Sequence, residues 1–219
     1  MSNGHSYVEG AMTAIGGNLF LFELKSNISY FDLWISNGTT AGTISIKAFD
    51  KGNWRPDPTA MGSHLFFNGK EQYSNMGHEL WKSNGTEAGT VMVKDINPNG
   101  SSNPNGLTDL NGTLFFSADD DVHGRELWKS DGTGPGTVLV KDICPGASNS
   151  AYVYPAVSNH RLFFAGNDGV SGKELWKSDG TEAGTVEVKD INPAGGSNPE
   201  HLTDVNGTLF FMANGVNLR

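Results

Sequence analysis

The sequence predicts an all-β protein, a β-propeller of four-stranded antiparallel blades. Three observations carry that prediction. A segment of the form Glu-Leu-Trp-Lys-Ser-Asp-Gly-Thr recurs at a fixed period, with Trp34, Trp81, Trp128 and Trp176 spaced 47, 47 and 48 residues apart. Asn-Gly pairs such as Asn111-Gly112 and Asn206-Gly207 separate apolar runs, the strongest short-range hairpin signal because both residues must adopt positive φ. No segment sustains a helical period, and the 29 glycines suit many short strands joined by tight turns.

Each unit divides into four segments. The first is an apolar run ending at the hairpin turn, as in Leu107-Thr108-Asp109-Leu110 and Leu202-Thr203-Asp204-Val205. The second is Leu114-Phe115-Phe116, matched by Leu65-Phe66-Phe67, Leu162-Phe163-Phe164 and Leu209-Phe210-Phe211. Adjacent apolar residues of this kind predict a strand buried on both faces. The third is the Glu-Leu-Trp segment, and its Ser-Asp-Gly-Thr end makes the next turn. Asn37 and Asn84 replace the Asp in two copies. Both residue types tolerate the left-handed region, which predicts that turn geometry alone sets this position. The fourth segment is Val91-Met92-Val93-Lys94-Asp95-Ile96 and its counterparts Val138 to Ile143 and Val186 to Ile191.

The repeats run approximately 12–58, 59–105, 106–153 and 154–200, with a half repeat over 201–219, all within a single repeat domain, 1–219. Four full units and a half unit are compatible with four or five blades. A β-solenoid is the alternative, but its coils are shorter than this and rarely hold hairpin turns. The half repeat leaves an open strand edge, a template for association with another chain.

The formal net charge of −9 and the absence of a basic stripe exclude a phosphate-backbone partner. No run of 18 apolar residues is present, so no membrane insertion is expected. Met1 to Ser6 lack the pattern of a signal peptide. Cys144 is the only cysteine, which rules out an intrachain disulfide and a cysteine-based zinc site of the usual kind.

Glu126-Leu127-Trp128-Lys129-Ser130-Asp131-Gly132-Thr133 and Glu174 through Thr181 resemble the motif of the bacterial ELWxxDGT-repeat (hyalin-like repeat) proteins. The second copy departs at Asn84, and the first keeps only Leu33, Trp34, Gly38 and Thr39. The resemblance spans about Met12 to Phe211. It implies a part of a large secreted or surface-attached bacterial protein, hence an extracellular or cell-surface setting, and it transfers no catalytic residues.

The residues offer few chemical sites. A Trp per unit would stack on sugar rings if exposed, but a residue repeated in every unit is what packing between blades requires. Trp54, on the connector Lys51 to Pro56, is not repeated and is a better candidate for ligand contact. Asp120 and Asp168 lie in the loops that precede Glu-Leu-Trp and are ligand-binding candidates. Those loops are rich in oxygen, so Asp119, Asp121 and Asn167 are weak candidates for calcium, although the spacing is not that of an EF-hand. No other cofactor or metal site and no catalytic constellation is expected. The sequence therefore predicts a non-enzymatic binding or scaffold module that recognises carbohydrate or a protein partner through its loops. The alternatives are a self-assembling unit closed by oligomerisation through the half repeat, and a carbohydrate-active enzyme using carboxylates such as Asp120 or Glu126.

Overall fold

The computed structural model describes residues 12–24, 30–51, 56–146 and 149–215. All regular structure among them is β. The chain divides into two compact units, Met1–Leu107 and Thr108–Arg219.

In the first unit, sheet 1 contains β1 (Thr13–Ile15), β2 (Asn18–Leu24), β3 (Tyr30–Ser36) and β4 (Ile44–Asp50). Sheet 2 contains β5 (Thr59–Met61), β6 (His64–Gly69), β7 (Glu79–Ser83) and β8 (Val91–Lys94). Each is an antiparallel meander in chain order. Their facing sides share one core of Phe20, Phe22, Leu33, Phe49, Leu65, Phe67 and Trp81 with Phe31 and Ile46. Trp81 of sheet 2 meets Phe49 of sheet 1 edge to face, centroids 5.1 Å apart at 83°. The motif tryptophan thus packs on the preceding sheet, and Lys47 stands 5.3 Å above its ring.

Sheet 3 contains β9 (Asn105–Leu110), β10 (Thr113–Asp119), β11 (Arg125–Ser130) and β12 (Val138–Lys141). Sheet 4, in the second unit, contains β13 (Ala151–Ser158), β14 (Arg161–Asn167), β15 (Lys173–Ser178) and β16 (Val186–Lys189). The second-unit core repeats the first: Phe115, Leu127, Val140 and Ile143 of sheet 3 enclose Leu162, Phe164 and Trp176 of sheet 4. A two-stranded sheet, β17 (Glu200–Val205) and β18 (Thr208–Met212), completes the described structure.

The Asn-Gly turns form as the sequence predicts. Asn111 and Gly112 have φ of 55° and 81°, and Asn206 and Gly207 have 51° and 81°. Leu65, Phe66, Phe67, Leu114, Phe115 and Phe116 are buried on both faces of their sheets. The expectation fails for the same residues of β18. Phe210 is 57% exposed, and Leu209 and Phe211 are only half-buried, because no strand among the described residues pairs with the second edge of β18.

One feature had no sequence signal. In all four complete sheets the register slips where the Leu-Trp pair meets the fourth strand, between Leu33 and Trp34, Leu80 and Trp81, Leu127 and Trp128, and Leu175 and Trp176. The extra residue lies on the fourth strand, at Ile46, Val93, Val140 or Val188. A bulge re-aims its side chain. Ile46 and Val140 are consequently buried in the cores just described.

Candidate functional site

The repeated motif builds two polar devices, a turn in all four complete sheets and a glutamate clamp in sheets 2 to 4, and both are spent internally. The first is the turn after the Trp strand. Asn37, Asn84, Asp131 and Asp179 each accept, through Oδ1, the backbone N–H and the hydroxyl of the Thr two residues on, at 2.7 to 3.0 Å. None of the four has positive φ. The following glycine does, with Gly38, Gly85, Gly132 and Gly180 at 85° to 89°. The interchange of Asp and Asn therefore reflects a shared Oδ1 acceptor, not the tolerance of the left-handed region that the sequence suggested. Ser83 and Thr90 join hydroxyls at 2.7 Å beneath the turn, as do Ser130 with Thr137 and Ser178 with Thr185. Gly89 closes the turn because a Cβ there would lie 2.0 Å from Asn84 Oδ1.

The second device is the motif glutamate. Glu79, Glu126 and Glu174 are fully buried. Glu79 accepts the backbone N–H of Ile96 and of Ser102, both at 2.9 Å, and the Ser102 hydroxyl at 2.5 Å. Glu174 repeats the arrangement with Ile191 at 3.1 Å and with Ser197 N–H and hydroxyl at 2.7 and 2.5 Å. Glu126 accepts from Ile143 N–H at 3.2 Å, Cys144 N–H at 3.4 Å and the Ser150 hydroxyl. Each carboxylate thereby pins the end of the fourth strand and the Ser of the outgoing connector to the third strand. Burial pushes Glu79 and Glu126 up to about 7, partly offset by these donors, and the charges of Asp95 and Asp142 push the same way. The glutamate–serine pairing escaped sequence reading. Its only signal is a serine 23 or 24 residues after each motif glutamate, hidden in connectors already rich in serine.

The ligand candidates fall in the loops at the opposite ends of these strands from the Asx turns. Asp119 ends β10 and Asp120 and Asp121 open the β10–β11 loop; Asn167 ends β14 and Asp168 opens the β14–β15 loop. Their side chains mostly close their own loops. Asp119 accepts the Asp121 N–H at 2.9 Å, and Asn167 accepts the Gly169 N–H at 2.8 Å. Asp168 accepts the N–H groups of Val170 and Ser171, both at 2.8 Å. Asp120 accepts those of Val122 and His123 and meets His123 Nδ1 at 2.7 Å. Burial works to raise Asp120, but the bonds from His123 and Val122 prevail and hold it below the ordinary carboxylate value. The Asp120 bond raises His123, and the negative fields of Asp120, Asp142 and Glu126 add to it. No group of three potential metal ligands forms among the described residues. Trp54 lies outside the described residues.

Trp81, Trp128 and Trp176 are buried and offer no face for stacking on a sugar. Trp81 and Trp176 are 5% and 6% exposed, and both belong to inter-sheet cores. A feature the sequence did not show is an open groove of about 360 Å³ in the first unit. It runs along the hairpin turns of sheets 1 and 2, between Ile15, Asn18 and Phe20 on one side and Ser63 and Asn84 on the other.

No family model and no curated protein matches the chain. Solved structures do. A puromycin-hydrolyzing peptidase of Mycobacterium tuberculosis is similar with a TM-score of 0.56 and 11% identity, over 92% of this chain and 33% of that one. A puromycin hydrolase gives 0.51 and 12%, over 90% of this chain and 31% of that one. A structure from a study of two prolyl endopeptidases gives 0.52 and 13%, over 82% and 27%. The chain thus spans a third or less of the length of these neighbours. At such identities the likeness is one of fold alone, and the neighbours include β-propeller domains.

Proposed function

We propose that the chain is a non-catalytic propeller scaffold whose sheets are blades and whose loops present a recognition surface to a carbohydrate or protein ligand. The propeller reading is supported by four meandering four-stranded sheets at a period of about 47 residues, and by face-to-face packing of consecutive sheets within each unit. It is also supported by the fold likeness to chains that include propeller domains.

One observation carries the functional part. The carboxylates repeated in the motif are consumed in holding the connectors, with the same partners in three sheets. Glu126, the candidate acid of the enzyme alternative, is fully buried and bonded to Ser150, so it serves the fold. The loops before the Trp strand differ from sheet to sheet. The β10–β11 loop carries Asp120 paired with His123, where the β14–β15 loop carries Asp168 with Ser171. Loops that differ from sheet to sheet on a repeated frame are the arrangement of a binding scaffold.

A glycan array and an affinity capture with the folded chain test the reading. A ligand whose binding is lost in His123→Ala, with the thermal midpoint unchanged, supports it. Turnover of a peptide or glycoside substrate would overturn it.

A further inference from the structure

The turn end of the sheets is built differently in the two units. In the second unit the motif lysine bridges the space between neighbouring sheets: Lys129 Nζ of sheet 3 donates to Gly180 O, in the turn after β15, at 2.7 Å. Gly180 is buried there. The β13–β14 hairpin presents Asn159, His160 and Arg161 beside that turn, and Asp179 of the turn feels the positive field of Arg161. Long and charged side chains therefore stand along this edge of the second unit.

The first unit has smaller or neutral residues at each of these places. Ile35 stands where sheet 3 has Lys129 and packs towards Gly85, where a Cβ would lie 2.4 Å from Ile35 Cδ1. Gly62 and Ser63 replace Asn159 and His160, and Asn84 replaces Asp179. His64, in place of Arg161, lies by Phe66 with ring centroids 6.4 Å apart. The groove of about 360 Å³ opens between these turns, and no charged side chain is among its described lining residues. One side is apolar, with Ile15 and Phe20, and neutral polar groups are supplied by Asn18, Ser63 and Asn84.

These polar groups are surplus to the fold. The turn uses only Oδ1 of Asn84, which accepts the Thr86 N–H at 3.0 Å and the Thr86 hydroxyl at 2.7 Å. Asp131 and Asp179 do the same with a carboxylate. The Asn84 amide nitrogen thus has no structural task and no partner among the described residues. The Asn18 amide makes no side-chain bond among them either, and the Ser63 hydroxyl meets only His64 Nδ1, at 3.2 Å.

We propose that this groove is a binding site for a neutral mono- or disaccharide. Amide and hydroxyl groups that can both donate and accept match the hydroxyl edge of a sugar, and the Ile15–Phe20 side receives its C–H face. Without a cation in the lining, uronates, sialates and phosphates gain nothing there. The volume lies towards the lower end of the range for small-molecule sites, about 300–1,000 Å³. The groove is at the opposite end of the strands from Asp120 and His123, so this inference goes beyond the loop-recognition reading and does not rest on it.

The test is a nuclear magnetic resonance titration of the isotope-labelled full chain at neutral pH. The probes are glucose, galactose, N-acetylglucosamine, cellobiose and lactose, with glucuronate and N-acetylneuraminate as anionic controls. A neutral sugar is expected to bind saturably and to shift the side-chain amide signals of Asn18 and Asn84, and the anionic controls are not. Asn18→Thr, Ser63→His and Asn84→Asp each carry the residue found at the same place in the second unit, Thr113, His160 and Asp179. Each is expected to keep the melting temperature and to weaken binding by about tenfold. Val170→Ser, in the β14–β15 loop, is expected to leave binding unchanged. Failure of every neutral sugar to bind, binding without a response at Asn18 and Asn84, indifference to all three groove variants, or equal binding of the anionic controls overturns the proposal. Loss of sugar binding in His123→Ala with indifference to Asn84→Asp also overturns it, while leaving the loop-recognition reading standing.

Discussion

The Ser102 hydroxyl lies 2.5 Å from the Glu79 carboxylate although the two residues are 23 positions apart, and the Ser102 N–H meets the other oxygen of the same carboxylate at 2.9 Å. Both residues are fully buried. Removing the hydroxyl leaves a desolvated acceptor short of a donor, which costs about 1–3 kcal/mol. Ser102→Ala is therefore expected to lower the unfolding free energy by that amount, seen as a lower urea midpoint at unchanged slope, with little change in far-ultraviolet circular dichroism. An unchanged midpoint would show that the clamp does not hold the connector.

The same carboxylates give stability a pH dependence. Glu79 and Glu126 titrate near 7 in the folded chain against an ordinary value of 4.5. A carboxylic acid raised on folding is protonated in both states below 4.5, and above that it ionises first in the unfolded chain. Its share of stability is thus lost as pH rises from 4.5 to about 7 and is constant beyond. Burial lowers His78, so that group acts in the opposite sense as pH falls through its range. The comparison of wild type with Glu79→Gln isolates the glutamate. The stability difference between them, measured by urea unfolding, is expected to shift towards the variant as pH goes from 5 to 7.5. A difference independent of pH would mean that Glu79 titrates normally.

The inter-sheet tryptophans are expected to dominate the cores. Trp176→Ala removes the ring enclosed by Phe115, Leu127 and Val140 and should cost about 3–5 kcal/mol. Trp176→Phe keeps an aromatic ring and should cost less. Thermal unfolding followed by near-ultraviolet circular dichroism reads both, and an equal cost for the two would show that the indole itself, not buried ring volume, matters at this position.

The turns make opposite predictions for two neighbours. Asn84→Asp keeps the Oδ1 acceptor that Asp131 and Asp179 supply elsewhere, so the melting temperature should stay within the small range of surface changes. Gly89→Ala drives a methyl into the Asn84 side chain and should destabilise by about 1–3 kcal/mol. Reversal of that order would refute the role given to Oδ1.

Calcium gives a further check on the loops. Asp119 and Asn167, at the ends of β10 and β14, accept N–H groups of the loops that follow, Asp121 among them, and no three-residue ligand group forms among the described residues. Addition of calcium chloride, then of a chelator, is expected to leave the melting temperature unchanged. A calcium-dependent rise would place an ion in the β10–β11 or β14–β15 loop.

Local chemistry was legible in the sequence wherever the interacting residues are near neighbours. The hairpins at Asn111-Gly112 and Asn206-Gly207, the doubly buried Leu-Phe-Phe strands of sheets 2 and 3 and the burial of Trp81 and Trp176 all follow from period, turn residues and repetition. Long-range partners were not legible. Ser102, Ser150 and Ser197 resemble any connector serine until the fold brings them to Glu79, Glu126 and Glu174. The bulge at Val140 leaves no mark either, because an extra residue in a short apolar strand does not alter its composition. The loops at Asp120 and Asp168 were recognisable as polar and glycine-containing. That their oxygens are turned onto their own backbone depends on dihedral angles that composition does not encode.

Each glutamate finds its serine inside its own repeat, and each Asx turn closes within the few residues that form it. A gain or loss of one unit of about 47 residues therefore strands no buried carboxylate and breaks no turn. What changes is the pair of sheet faces at the new junction, and within each compact unit that pair is the same, a motif Trp set against the preceding sheet. The polar interior is in this sense modular, complete within each unit that carries the glutamate.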